Sequence, residues 1–149
     1  MERIIRKLTG YPVIGLDTSI FIYHFEAHPR YQSLTLPILN GVEKGKWQAV
    51  TSMITIMELT VRPWQLGRED VARKYEALIF HFPHLELIDI NRDIARLAAQ
   101  LRAKYNLRSP DALQTAACLV RGGNALVTND RKLGVLQPLI DVIVLDDFL

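Results

Sequence analysis

One cysteine, Cys118, among 149 residues excludes an internal disulfide framework and any cysteine-rich zinc site. No apolar run approaches the roughly 18 residues that a membrane-crossing helix needs. The first ten residues mix charged and apolar side chains without the unbroken apolar core of a signal peptide. These absences set the expectation of a cytoplasmic protein in a reducing compartment. An excess of one charge is also missing, since 18 Lys and Arg stand against 16 Asp and Glu for a formal net charge of +2. Whole-molecule attraction to nucleic acid is then weak, and any such binding must come from a local patch or a bound cation. Repeats, low-complexity tracts and Ser/Gly linkers are absent, which predicts one domain over residues 1–149 with a charged N-terminal extension at 1–9. The four histidines, His24, His28, His81 and His84, show no His-x-x-x-His spacing, and there is no Gly-x-Ser-x-Gly motif.

What is present is the composition of an ordinary globular chain, 49% apolar and 23% charged. Short β-branched runs at Val13–Leu16, Trp47–Val50, Leu85–Ile88, Ala125–Thr128 and Val142–Leu145 read as strands. Several are apolar throughout, as strands of a parallel sheet covered on both faces are. Helical periodicity separates them, over Asn91–Tyr105 and from Arg68 to His81. Ser109 and Pro110 read as a cap and first position of a further helix that Gly122 and Gly123 stop. Tyr31–Lys44 is helical in pattern, with Pro37 expected to kink it or delay its start. Strands alternating with helices predict a three-layer α/β/α sandwich around a mostly parallel sheet. Cys118 is expected to be a buried small hydrophobe, and Trp47 and Trp64 to pack rather than stack on bases.

In such sheets function gathers at the carboxyl ends of the strands. Asp17 directly follows the first predicted strand and Asp130 lies just past Ala125–Thr128. Asp89 follows Leu85–Ile88. Asp17 also suits a cap for the short helix Ser19–Phe25, and the two roles are compatible. Glu58 lies in Met53–Val61, a helix apolar on almost every face and so expected to be buried. An ionised carboxylate there needs a partner or a cation, and an exposed pair with Arg62 would contribute only about 0.3–0.5 kcal/mol. Asp111 opens the helix after Ser109 and Pro110, where the helix dipole favours an acid. Asp93 reads as a capping-type acid on an exposed turn, and Asp146 and Asp147 fall in the C-terminal tail. Asp17, Glu58, Asp111 and Asp130 thus come from four separate segments. Brought into one cleft they would repel unless a divalent cation neutralised them. An all-oxygen donor set suits Mg²⁺ or Mn²⁺, whose chemistry at such a site is phosphoryl transfer.

Four stretches, Leu16–Tyr23 (LDTSIFIY), Thr51–Leu59 (TSMITIMEL), Leu107–Cys118 (LRSPDALQTAAC) and Leu126–Leu133 (LVTNDRKL), carry a family resemblance. In their order and spacing the chain resembles the PIN-domain ribonucleases, and within them the VapC-like toxins and their stand-alone relatives, from Val13 to Leu145. The resemblance implies a PIN-like fold, an acidic quartet of Asp17, Glu58, Asp111 and Asp130 holding Mg²⁺ or Mn²⁺, and metal-dependent endonuclease activity on RNA. Thr18, Ser19, Thr128 and Asn129 match the polar positions flanking that quartet. Arg62, Arg108, Arg131 and Lys132 are candidate phosphate contacts near the cleft mouth. A small antitoxin partner and a homodimer are further implications, and the crowding of Phe21, Tyr23 and Phe25 in one short helix adds apolar surface for the latter.

Two other classes remain to be weighed. A non-catalytic nucleic-acid-binding or regulatory protein would want Lys and Arg where this chain has four acids. A receiver-type signalling domain needs an acidic pair after its first strand and a Lys after its last, and has neither here.

Overall fold

The computed structural model describes residues 2–149. Five strands, β1 (Val13–Leu16), β2 (Gln48–Ser52), β3 (Leu85–Ile88), β4 (Ala125–Thr128) and β5 (Asp141–Val144), form one sheet in the order β3-β2-β1-β4-β5. Every pairing is parallel. The helices are α1 (Glu2–Leu8), α2 (Thr18–Phe25), α3 (Gln32–Glu43), α4 (Met53–Gln65), α5 (Glu69–Phe80), α6 (Arg92–Tyr105) and α7 (Ser109–Val120), with 3₁₀ turns at Arg131–Leu136 and Leu145–Phe148.

Alternation along the central strands builds the layers. Ile14, Leu16, Ala49, Ala125 and Val127 meet the apolar faces of α1 to α5 in one core. Val50 and Leu126, out of phase by one residue, meet α6, α7 and the first 3₁₀ turn in the other. The sandwich is therefore three layers deep. Burial on both faces explains why β4 is inaccessible along its whole length and why its sequence carries no polar alternation. Gly15 lets α7 lie directly on β1: a Cβ there would fall 2.5 Å from Cys118 Sγ. Cys118 is indeed buried, and burial pushes its thiol pKa up to about 12, leaving it inert.

Several expectations shift. Residues 2–8 of the charged extension form α1, whose Ile4 and Leu8 are fully buried in the first core, so this segment is part of the packed body. Pro37 neither delays nor breaks α3, which runs through it. The backbone hydrogen bond that proline removes is outweighed by the burial of Leu34, Ile38, Leu39 and Val42. α4 is not buried on all sides: Met57, Val61 and Trp64 are 55%, 47% and 50% exposed. Trp47 packs inside as expected, and Trp64 does not. Phe21 is fully buried, Tyr23 stacks on Tyr31 at 4.4 Å and Phe25 on Tyr75 at 5.3 Å. These three aromatics find partners within the chain and supply no argument for a dimer. Among the described residues no helix is long and apolar enough to cross a membrane.

Candidate metal centre at the carboxyl edge of the sheet

From β1 the chain moves outward to β2 and β3, then crosses back to place β4 on the other side of β1. The strand order reverses between β1 and β4, and a crevice opens outside their carboxyl ends. Asp17 ends β1 at this crevice, and Thr128, Asn129 and Asp130 end β4 opposite it. α4 brings Glu58 from one side and the start of α7 brings Asp111 from the other. All four acids, with Thr18, Ser19, Ile22, Tyr23, Val61, Arg108 and Asn129, line a single open cleft of about 500 Å³.

Asp17 is the most constrained of the four. It caps α2, its Oδ1 accepting the Thr18 backbone N–H at 2.8 Å. Thr128 Oγ1 donates to Oδ2 at 2.7 Å. Burial raises the Asp17 pKa from 3.8 to about 6 despite these two bonds, and the nearby charges of Asp111 and Glu58 push the same way. Thr128 Oγ1 in turn accepts the Asp130 N–H at 3.0 Å, tying the two strand ends together. Asp130 caps the 3₁₀ turn through the Lys132 N–H at 3.0 Å.

Glu58 is half-buried rather than enclosed, because the outer face of α4 is open. Its Oε1 accepts from Thr18 Oγ1 at 2.8 Å, and among the described residues it forms no ion pair with Arg62. Asp111 is paired with Arg108, whose Nε donates to Oδ2 at 3.0 Å. The Arg108 pKa is raised first by this hydrogen bond and the Asp111 charge, and further by Asp130 and Glu58. One guanidinium thus feels three of the four acids.

Among the described residues no three His, Cys, Asp or Glu side chains stand close enough to hold a metal ion between them. The donor chemistry nevertheless fits a hard divalent cation: four carboxylates and no nitrogen or sulfur ligand face one cleft. A cation, the Arg108 guanidinium, already sits in their field, and Asp111 would exchange it for the metal. Ser19 lines the same cleft, and its Oγ is buried without a hydrogen-bond partner among the described residues.

The remaining sequence candidates separate. Asn129 joins the cleft, its Nδ2 donating to the Tyr23 hydroxyl at 3.3 Å. Arg131 pairs with Asp147 at 2.8 Å. Lys132 lies beside the adjoining groove that Arg108, Asp111 and Asp130 also line, and Arg62 lies in a neighbouring groove with Glu58. Asp89 is exposed beyond β3 and outside the cleft. Asp93 pairs with Arg96 on the surface of α6. Sequence reasoning passed over Gln114, which is buried beneath the cleft and bonded to three segments. Its signal was available: an amide on a helix that over Ala112–Val120 is otherwise apolar but for Thr115.

A three-layer sandwich around an all-parallel sheet, with four acids at its switch crevice, is an α/β architecture of the doubly wound kind. The chain belongs to the PIN domain family, whose profile matches residues 14–137. No curated protein matches the sequence at a significant level. Among solved structures, the chain is similar to one from a toxin–antitoxin complex of Klebsiella pneumoniae, at 24% identity over 89% of this chain and 97% of that one, TM-score 0.62. A chain of VapBC2 from Rickettsia felis bound to a promoter DNA fragment is similar at 19% identity over 87% and 96%, TM-score 0.69. A chain of FitAcB from Neisseria gonorrhoeae is similar at 15% identity over 89% and 97%, TM-score 0.64. At these identities the likeness is one of fold.

Proposed function

We propose that the chain is a metal-dependent endoribonuclease acting as the toxin of a toxin–antitoxin pair in the cytoplasm. The observation that carries this reading is the convergence of Asp17, Glu58, Asp111 and Asp130, from four distant segments, on one cleft at the switch crevice. A fold gains nothing by gathering four carboxylates there, since each raises the cost of ionising the next. The arrangement makes sense when a cation is the ligand.

Asp17, Glu58, Asp111 and Asp130 would hold Mg²⁺ or Mn²⁺. When bound, the metal supplies Lewis acidity at the phosphate and a water of lowered pKa. The chain's own residues do the rest. Thr18 and Thr128 keep Asp17 and Glu58 in fixed rotamers. Ser19 Oγ offers the cleft an unpartnered hydroxyl for a scissile phosphate oxygen or an ordered water. Arg108, once released from Asp111, becomes a phosphate contact at the cleft mouth, with Lys132 beside it and Arg62 on the α4 side. Asn129 and Tyr23 close the β4 side.

An antitoxin segment or a second copy of the chain would need an apolar surface near this cleft. The exposed strip Met57, Val61 and Trp64 on α4, with Val61 at the cleft itself, offers one. The test is incubation of the purified protein with a mixed RNA pool, with Mn²⁺ and with excess chelator. Cleavage confined to the Mn²⁺ sample is expected, and equal cleavage in chelator would overturn the reading.

A further inference from the structure

Beneath the acidic cleft lies a buried network of five polar side chains whose proton directions are fixed by chemistry alone. Gln114 Oε1 lies 3.0 Å from the backbone N of Ser52, which can only donate, so the amide oxygen must face Ser52. Ser52 Oγ donates to the same oxygen at 2.6 Å and accepts the Ile54 N–H at 3.2 Å. The Gln114 NH₂ then faces the other way and donates both protons, to Thr18 Oγ1 at 3.2 Å and to Thr55 Oγ1 at 2.7 Å. Thr51 spends its proton on the Leu16 carbonyl at 2.9 Å, so at the 2.6 Å contact between Thr51 and Thr55 it is Thr55 that donates. The Thr18 hydroxyl, already accepting from Gln114, has Thr55 Oγ1 at 3.2 Å and Glu58 Oε1 at 2.8 Å within reach, and its single proton goes to the nearer, charged acceptor, Glu58.

We propose that Gln114 is the positioning residue of this cleft, setting the direction of the Thr18 hydroxyl and through it holding Glu58 as an acceptor on the cleft wall. This deepens the nuclease reading and rests on it for the role of Glu58, although the network itself exists without metal. Gln114 touches no acid of the quartet directly. It acts through Thr18, and its amide is the one side-chain group in the network whose acceptor and donors sit on separate atoms, so that it cannot reverse direction by rotating a hydroxyl. An isosteric carboxylate at 114 would satisfy Ser52 equally well and reverse the polarity toward Thr18. Thr18 would then have two carboxylates competing for one proton.

The test is a double-mutant cycle on the full chain, metal-free at pH 7.5, followed by titration with Mn²⁺. Gln114→Glu is expected to lower Tm by roughly 2–10 °C, the effect of a buried acceptor left without its donor. Adding Glu58→Gln to the same chain is expected to recover at least half of that loss, because the amide placed at position 58 can turn its donor toward Thr18. A cycle whose two effects simply add would overturn the proposal. In calorimetry, Gln114→Glu is expected to bind Mn²⁺ roughly 10- to 100-fold more weakly than wild type, as loss of an outer-shell partner does. Unchanged affinity would also overturn it. Thr60→Val removes another buried hydroxyl of α4, one bonded only to the Ile56 carbonyl, and is expected to leave Mn²⁺ affinity unchanged. An equal loss in Thr60→Val would mean that any loosening of α4 suffices, and the assignment to Gln114 would fall. If Gln114→Glu does not fold, Gln114→Met keeps the volume, and wild-type Mn²⁺ affinity in that variant would overturn the proposal. Should the wild type take up no Mn²⁺, the nuclease reading fails, while the thermal cycle still decides whether Gln114 holds Glu58.

Discussion

The two walls of the cleft are built on opposite principles. On the β1 and α4 side, Asp17 and Glu58 are held by neutral donors: a backbone N–H, Thr128 and Thr18. The Thr18 hydroxyl among them rests on the buried hydroxyl and amide network around Gln114. On the other side, Asp111 is held by a charged partner, Arg108, whose side chain is 72% exposed against 12% for Asp111. Asp130 there is fixed only through backbone caps. Neutral buried donors have no water to turn to, and so stay in place. An exposed guanidinium can swing into water at small free-energy change, because such a pair is worth about 0–1 kcal/mol. The first wall is thus preformed and the second is exchangeable. This accounts for a cleft in which four acids gather although no three of them yet form a cage.

The largest effect should come from breaking the preformed wall. Asp17→Asn is expected to abolish RNA cleavage in Mn²⁺ while making the metal-free protein more stable at pH 7.5. Circular dichroism melts would register this as a Tm rise of roughly 2–6 °C. A lower Tm would mean that the Asp17 carboxylate is structural. The sign follows from its pKa of about 6, raised mainly by burial from 3.8. The folded state binds this proton more tightly than the unfolded chain, so the stability linked to it is complete below pH 3.8 and lost as pH rises through about 6. The full difference is worth up to about 3 kcal/mol.

A second effect sharpens the same wall. Lowering pH from 7.5 to 5 should stabilise metal-free wild type by about 1–2 kcal/mol through Asp17, and this component should be missing in Asp17→Asn. Urea unfolding at both pH values measures it, and identical pH slopes for the two proteins would count against a strained Asp17.

The exchangeable wall predicts a gain where the first predicts losses. Arg108→Gln should bind Mn²⁺ about 3- to 10-fold more tightly, since the competing cation is gone, with a stability change below about 1 kcal/mol. Weaker Mn²⁺ binding in this variant would show that Arg108 supports the site rather than occupying it. The smallest effect belongs to Asp130→Asn. Asparagine caps as well as aspartate, so stability should hold within about 0.5 kcal/mol while Mn²⁺ affinity falls. A large drop in Tm would make Asp130 a structural cap first.

The parts of this picture that could be read from sequence are those carried by local pattern. β1 and β4 matched their apolar runs because a strand covered on both faces leaves no other composition, and the edge strand β3 matched through its alternation of Leu85 and Leu87 with Glu86. β2 and β5 slid by one or two residues, since backbone pairing rather than apolarity sets where a strand ends: Ser52 pairs with Ile88 although it is polar. Asp17, Asp111 and Asp130 were legible because each sits beside a strand end or helix start, and Glu58 because it is a lone acid in an apolar helical stretch. The state of Glu58 was not, since apolar residues on every side of a helix say nothing about which neighbours cover them. The outer face of α4 stays open in the fold. Arg108 looked like a free phosphate contact because the i, i+3 pairing to Asp111 depends on where α7 begins, and that start lies at Ser109 rather than after it. Gln114 escaped notice because its three partners, Thr18, Ser52 and Thr55, lie 59 to 96 residues away and only the assembled sheet brings them together.

On the proposed reading, Asp17, Glu58, Asp111 and Asp130 act as one cation site. Calorimetric titration of Mn²⁺ into the wild type and the four single carboxamide variants, Asp17→Asn, Glu58→Gln, Asp111→Asn and Asp130→Asn, tests it most directly. Saturable binding by the wild type and weaker binding in every variant are expected. A wild type that takes up no Mn²⁺, or four variants that bind it as the wild type does, would contradict that reading.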